Sequence, residues 1–202
     1  MTLRSWPIVV ALASVAISPA LSAQDPLRAD AASMQRKLLA IATRGEAKAP
    51  RATPVRTSFT DRELNAYFKV AGPDVVPPGI VDPQIAIDDG GRVRARALVD
   101  LQTAVKQKER GWTDPLAWLP PGTIEMTAAG TLQSSDGKAR LAIDTATLGG
   151  VAISKSVLQE VISYYSRTPE HPKGWNLDEP FELPARIRAV ETHRGVATVV
   201  QQ

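Results

Sequence analysis

The stretch RVRARALVDLQTAV, residues 92–105, decides the fold. Val93, Ala95, Ala97, Val99, Leu101, Thr103 and Val105 fall on one side of an extended chain. Arg92, Arg94, Arg96, Leu98, Asp100 and Gln102 fall on the other. A period of two marks a β-strand with one dry face and one wet face. At about 3.3 Å per residue the run predicts a strand of roughly 45 Å, longer than most. Such a strand needs antiparallel neighbours and an apolar layer over its dry face.

The neighbours are legible on both sides. Residues 84–88 alternate, with Ile85 and Ile87 inward, and Asp88-Asp89-Gly90-Gly91 makes the turn into the long strand. Residues 123–133 place Ile124, Met126, Ala128, Gly130 and Leu132 on one face. Ser134-Ser135-Asp136-Gly137 turns the chain into 138–147, with Ala139, Leu141 and Ile143 inward. Residues 181–192 place Phe181, Leu183, Ala185, Ile187 and Ala189 together, and a turn at His193-Arg194-Gly195 leads to a last strand at 196–201.

Three helices complete the pattern. The first spans 26–44, with Pro26 at its first position and Leu27, Met34, Leu38 and Ile41 near one face. A small, basic, proline-containing linker, GEAKAPRATPVRT, follows at 45–57. The second helix lies within 58–70. Thr60 and Glu63 form a capping box, Phe59 and Leu64 a hydrophobic staple, and Gly72-Pro73 a stop. Its stripe is Leu64, Tyr67, Phe68 and Ala71. Ser154 caps the third, 155–167, whose stripe contains Val157, Leu158, Val161, Ile162 and Tyr165. The reading is α+β: an antiparallel sheet of about six strands with helices packed on its apolar face.

The amino terminus reads as an export signal: Arg4, an apolar run from Pro7 to Ile17, then small residues up to Ala23. Cleavage after Ala23 leaves Gln24 first; Ala20 is the second choice. An uncleaved anchor is the other reading, although the run falls short of the ~20 residues that span a bilayer. The organisation is then a signal at 1–23, a helix and basic linker at 24–57, and the α+β domain at 58–202. The 202 residues include no cysteine, which excludes disulfides, thiol catalysis and thiolate metal sites. With 24 basic and 21 acidic residues the charge is too balanced to point to nucleic acid.

The dry face mixes branched residues with Ala95, Ala97, Ala128, Gly130, Ala139, Ala185 and Ala189. Two arrangements satisfy such a face. Helices can seat directly on the small residues, since interiors are normally filled. Alternatively the small residues leave an elongated apolar groove, the usual character of a site for a hydrophobic ligand. The groove would be lined by Leu64 and Phe68 of one helix and Leu158 and Ile162 of another. The strands would add Val93, Ala95, Ala97, Val99, Leu101, Ile124, Met126 and Ala128, then Leu141, Ile143, Leu183 and Ile187. The connection KQKERGWTDPLAWLPPG, 106–122, sets Trp112, Leu116, Trp118 and Leu119 beside Lys106, Lys108 and Arg110. Aromatic and basic residues together suit a membrane interface; the same tryptophans could instead cap the end of the core.

Other candidates have plainer explanations. His171 and His193 adjoin turns. Asp88-Asp89 belongs to a turn, and Glu63 to a cap. Arg92, Arg94 and Arg96 solvate the outer face and discourage edge pairing. No nucleophile elbow, HExxH, P-loop or GxGxxG follows a strand, and no metal or cofactor is expected.

The runs FTDRELNAYF and VPPGIVDPQIAID before the long strand, and LGGVAISKSVLQEVI and FELPARIRAVETHRGVATV after it, resemble small exported bacterial proteins of the YpmS, YceB and LmeA kind. These look like relatives of tubular lipid-binding (TULIP-like) domains. The resemblance covers 58–200 and implies a strongly curved sheet that holds acyl chains against a helix. The expectation is a non-enzymatic, exported lipid- or hydrophobe-binding protein of the cell envelope, with possible contact to the membrane surface. The alternative is a fully packed envelope adaptor that works through protein contacts.

Overall fold

The computed structural model describes residues 25–47, 53–106, 122–167 and 172–202. The expected signal sequence, His171 and the tryptophan connection with Trp112, Leu116, Trp118 and Leu119 lie outside the described residues.

The architecture is α+β. Helix α1, Pro26–Gly45, is followed by strand β1, Val55–Thr60, helix α2, Asp61–Val75, and strand β2, Ile80–Ile87. One 3-10 turn, Asp89–Gly91, leads to β3, Arg92–Asp100, and helix α3, Leu101–Lys106. Then come β4, Thr123–Ser135, β5, Lys138–Leu148, β6, Val151–Ala152, and helix α4, Lys155–Tyr165. Strands β7, Phe181–Glu182, β8, Ile187–His193, and β9, Val196–Gln201, end the chain.

The large sheet runs β2-β3-β4-β5-β6, with β7 also paired to β5; all pairings are antiparallel. A second sheet, β1-β9-β8, takes the carboxy-terminal hairpin. Its core is Ile41 of α1 with Ile187 and Val199, flanked by Phe59, Leu183, Ala185 and Val190.

Several boundaries differ from the sequence reading, each for a local reason. The long strand ends at Asp100, not at Val105. The Asp100 carboxylate accepts from the backbone N–H of Gln102 and Thr103 and from the Thr103 hydroxyl, which caps α3 and turns the chain out of the sheet. The expected strand 181–192 is broken, because Ala185 and Arg186 both adopt positive φ, 53° and 57°, directly after Pro184. Strand β1 takes residues 55–57 from the expected linker and Ser58–Thr60 from the expected helix segment; arginine and proline hide its short alternation of Val55, Thr57 and Phe59. Helix α2 continues past Gly72-Pro73 to Val75, where the Val76 N–H still reaches the Gly72 carbonyl at 2.8 Å. The arginines of β3 guard no edge, since β3 is flanked on both sides.

The two sheets are tied together at one end. The Ser134 hydroxyl donates to the Val190 carbonyl (2.9 Å) and accepts from the Val190 N–H (2.7 Å). Gly195 N–H donates to the Ile87 carbonyl (2.7 Å), and Asp61 N–H to the Gly195 carbonyl (3.0 Å). The same end holds the turns at 88–91, 135–137 and 193–195. It is closed by the small sheet, and Trp175 stands exposed beside it with its ring edge-on to Phe181 of β7.

Candidate functional site

The register of the large sheet assembles one continuous apolar face. Ile80 pairs with Val99 and Val99 with Ile124; Ala97 pairs with Met126 and Met126 with Leu148. Ile85, Ala95, Ala128 and Ala146 form the next row, and Ile87, Val93, Gly130 and Ile143 the row after it. Leu132 pairs with Leu141. The face stays apolar past a bulge: Ala129 pairs with Thr145 but Gly130 with Ile143, so Asp144 is the extra residue. A bulge bends its strand and increases local twist. Gly130 is required there, because a Cβ would stand 2.4 Å from the Ala142 carbonyl oxygen.

This face is only partly covered. Ile87, Ala97, Val99, Ala139 and Ala146 are buried, whereas Val93, Ala95, Ile124, Met126, Ala128, Leu141 and Ile143 remain half-buried. On the helices, Leu158 is buried and Ile162 half-buried; Leu64 and Phe68 of α2 are half-buried. Leu101 is buried, but on α3 rather than on a strand. The structure thus brings the predicted residues of β3, β4 and β5 onto one surface. Leu183 and Ile187 lie instead in the core of the small sheet, against Ile41 and Val199. The sequence reading omitted Ile80 and Leu148, whose places in the rows depend on strand ends that alternation alone left too short.

Helix α2 lies antiparallel to β2. Asp61 is tied to Gly195, which bonds Ile87, and Asn65 sits beside Ile85. The Asn65 amide donates to the Ile85 carbonyl (2.8 Å) and its oxygen accepts from the Ile85 N–H (2.7 Å). One side chain therefore does for β2 what a neighbouring strand would do. At 100° per residue, Arg62, Asn65, Ala66 and Lys69 fall on one side of α2, and Leu64, Tyr67, Phe68 and Ala71 on the other.

The first of these sides walls a cavity of about 790 Å³ on the polar face of the sheet. Arg94, Arg96, Thr127, Ala129 and Thr145 contribute to it from the sheet, and Leu27 and Asp30 from α1. Of the predicted apolar lining residues only Ala95 and Ala128 border it, so this cavity is not the expected groove. Its cations are largely engaged. Arg94 grips Asp88 through Nε (2.8 Å) and Nη2 (3.2 Å), Arg96 Nε donates to Glu125 (2.7 Å), and Arg62 pairs with Asp30 (2.9 Å). The Arg94 guanidinium holds the Asp88 carboxyl below its ordinary range.

Glu63 is the most perturbed acid. Burial pushes its carboxyl up, but the Lys37 ammonium, the Ser33 hydroxyl and the Thr60 N–H together bring it down to about 2. Both oxygens receive Lys37 Nζ (2.6 and 2.7 Å), one receives Ser33 (2.6 Å) and the other Thr60 N–H (2.8 Å). This pins α1 to the start of α2. It is a structural knot; with every oxygen engaged by a donor, it has no free acid to offer a substrate. Among the described residues no group of three acidic or histidine side chains could hold a metal.

No family model matches the chain, and no curated protein matches it. One solved structure, a crystal structure of lipopolysaccharide binding protein, is similar at 15% identity with a TM-score of 0.25. The likeness covers 73% of this chain and spans 40% of that one; at that score it carries no argument.

Proposed function

We propose that the protein is a non-enzymatic binder of an acyl chain or similar hydrophobe, exported to the cell envelope. The observation that carries the reading is the unbroken apolar face of β2 to β5, whose central residues Val93, Ala95, Met126 and Ala128 are left half-covered. The bound chain would run along the rows of the sheet, beside Leu158 and Ile162 of α4. Each methylene leaving water is worth about 0.8 kcal/mol. Small residues in the middle rows keep the space open. The export signal and the tryptophan connection support an envelope location and a membrane-facing role.

Native mass spectrometry after mild purification tests the reading. The expected result is a mass increment matching a lipid, lost on delipidation. Ala128→Phe fills the middle of the face and should weaken binding of a fluorescent fatty acid by tenfold or more, as about three displaced methylenes would imply. A clean apo mass, with no fatty-acid binding in the parent protein, would favour the packed adaptor instead.

A further inference from the structure

Strands β6 and β7 hold one edge of the large sheet in two short pieces. β6 pairs with Thr147 and Leu148 of β5, and β7 with Lys138 and Ala139; both run antiparallel to β5, on the edge away from β4. The two pieces point the same way along one line, as an edge strand interrupted between residues 139 and 147 of β5. At ~3.3 Å per residue the interruption measures about 26 Å. Helix α4, which packs on β5, and the segment 172–180 lie between the two pieces in the chain. The sides of α4 are bonded differently. Leu158, Val161 and Ile162 share one side, buried or half-buried, and supply apolar contact without direction. Gln159, Ser163 and Ser166 share another and grip the returning segment. The Trp175 carbonyl accepts from the Gln159 amide (2.9 Å) and the Ser163 hydroxyl (3.0 Å). Trp175 N–H donates to the Ser166 hydroxyl (2.7 Å) and Leu177 N–H to the Gln159 amide oxygen (2.7 Å). Lys155 pairs with Asp178, and Gly174 lies too close to the Ser163 carbonyl for any Cβ.

We propose that α4, the segment 172–180 and β7 form one flap over the apolar face, with β6 as its hinge and β7 as its latch. The proposal rests on the hydrophobe-binding reading and supplies the way in for its ligand. β6 is bound to stay with β5, because the two-residue turn Gly149-Gly150 joins them. The Gly149 N–H also donates to the Glu125 carbonyl (2.7 Å), and the Ile153 N–H to the Ala146 carbonyl (3.0 Å). No such turn joins β7 to β5. It is held by its two register pairs and by the Leu183 N–H on the Gly137 carbonyl (2.7 Å). The Trp175 ring, edge-on to Phe181 at 5.6 Å, couples the returning segment to the latch. Past β7 the chain is anchored again, with Leu183 packed against the small-sheet core. Opening therefore breaks the few directional bonds of the latch, keeps those between α4 and 175–178, and slides an apolar stripe off β5. Such a unit opens locally at a free energy below that of global unfolding. The half-buried Leu141 and Ile143 of β5 are then reached from outside.

The chain has no cysteine, so Lys138→Cys with Glu182→Cys, register partners on β5 and β7, sets its two thiols within cross-strand disulfide reach. Hydrogen exchange read by mass spectrometry compares the reduced and oxidised forms of this double variant. In the reduced form α4 and 174–178 should exchange together and faster than β3 and β4. Oxidation should slow that exchange, and the association of a fluorescent fatty acid, by about tenfold or more. Phe181→Ala removes the ring beside Trp175 and should have the opposite effect, faster exchange of α4. A melting temperature of the reduced variant equal to that of the parent checks the fold. Exchange of α4 that neither oxidation nor Phe181→Ala alters, or that occurs only together with β3 and β4, overturns the proposal. If oxidation slows exchange and the parent binds no fatty acid, the flap stands and the carrier reading falls. If the fatty acid enters both forms at one rate, the carrier reading stands and the flap falls.

Discussion

Glu63 gives the molecule an acid-sensitive joint. Its folded carboxyl titrates near 2, below the ordinary value of 4.5. A depressed folded value means that the contribution is complete above about pH 5 and is lost as pH falls toward 2. Glu63→Gln should cost about 2–3 kcal/mol at neutral pH and should flatten the fall in stability between pH 5 and 2; urea unfolding across that range reads both. The capping half of this joint was legible, because Thr60 and Glu63 are three residues apart. Ser33 and Lys37 were not, since nothing local says which helix will meet the cap. A second contact of this kind joins Gly45 and Ala185. A Cβ on Gly45 would stand 2.4 Å from the Ala185 Cα, so Gly45→Ala should destabilise by about 1–3 kcal/mol. Ala185→Gly should stabilise slightly, because Ala185 holds φ at 53°; thermal melts check the opposite signs.

At the scale of elements, edges and ends matter more than strand interiors. Asn65→Ala would strip the cover from the Ile85 backbone and leave a donor and an acceptor half-buried without partners. The expected cost is about 1–3 kcal/mol, with faster aggregation on heating from an opened sheet edge, measured by light scattering. Alternation located β2 to β5 and the final hairpin, because side chains of period two are a local property. It did not say where strands stop. Asp100 ends β3 by folding its carboxylate back on α3, and Pro184 with two left-handed residues splits β7 from β8. It also placed all strands in one sheet. The small sheet forms because β1, which lacks a strong pattern, pairs with β9 along Val55 to Thr60.

For the whole molecule, ligand and stability are linked. If an acyl chain fills the apolar face, delipidated protein should melt lower than protein as purified, and added fatty acid should restore the difference as RT ln(1 + [L]/Kd). Scanning calorimetry on both forms measures it; coincident melts would contradict occupancy of the face. The strand half of the proposed site could be read from the sequence, since Val93 to Val99 and Ile124 to Ala128 alternate plainly. Leu183 and Ile187 had the same alternation yet belong to another core, because side-chain period does not reveal which sheet a strand joins.

One hydrogen bond, from Leu101 N–H to the Gly122 carbonyl, has a consequence for how the chain tolerates change. Asp100 and Thr123 are register partners, so β3 and β4 form a hairpin whose tip is a long excursion. Closure entropy grows only with the logarithm of length, so trimming 107–121 to a few glycines and serines changes the closure cost by less than about 1 kcal/mol, and any larger loss in a urea melt would report packing by Trp112 and Trp118. Chain closure alone makes the sheet nearly indifferent to the length strung between its two clasped ends. A graft or deletion at that point would separate what the segment's composition does from what its length costs.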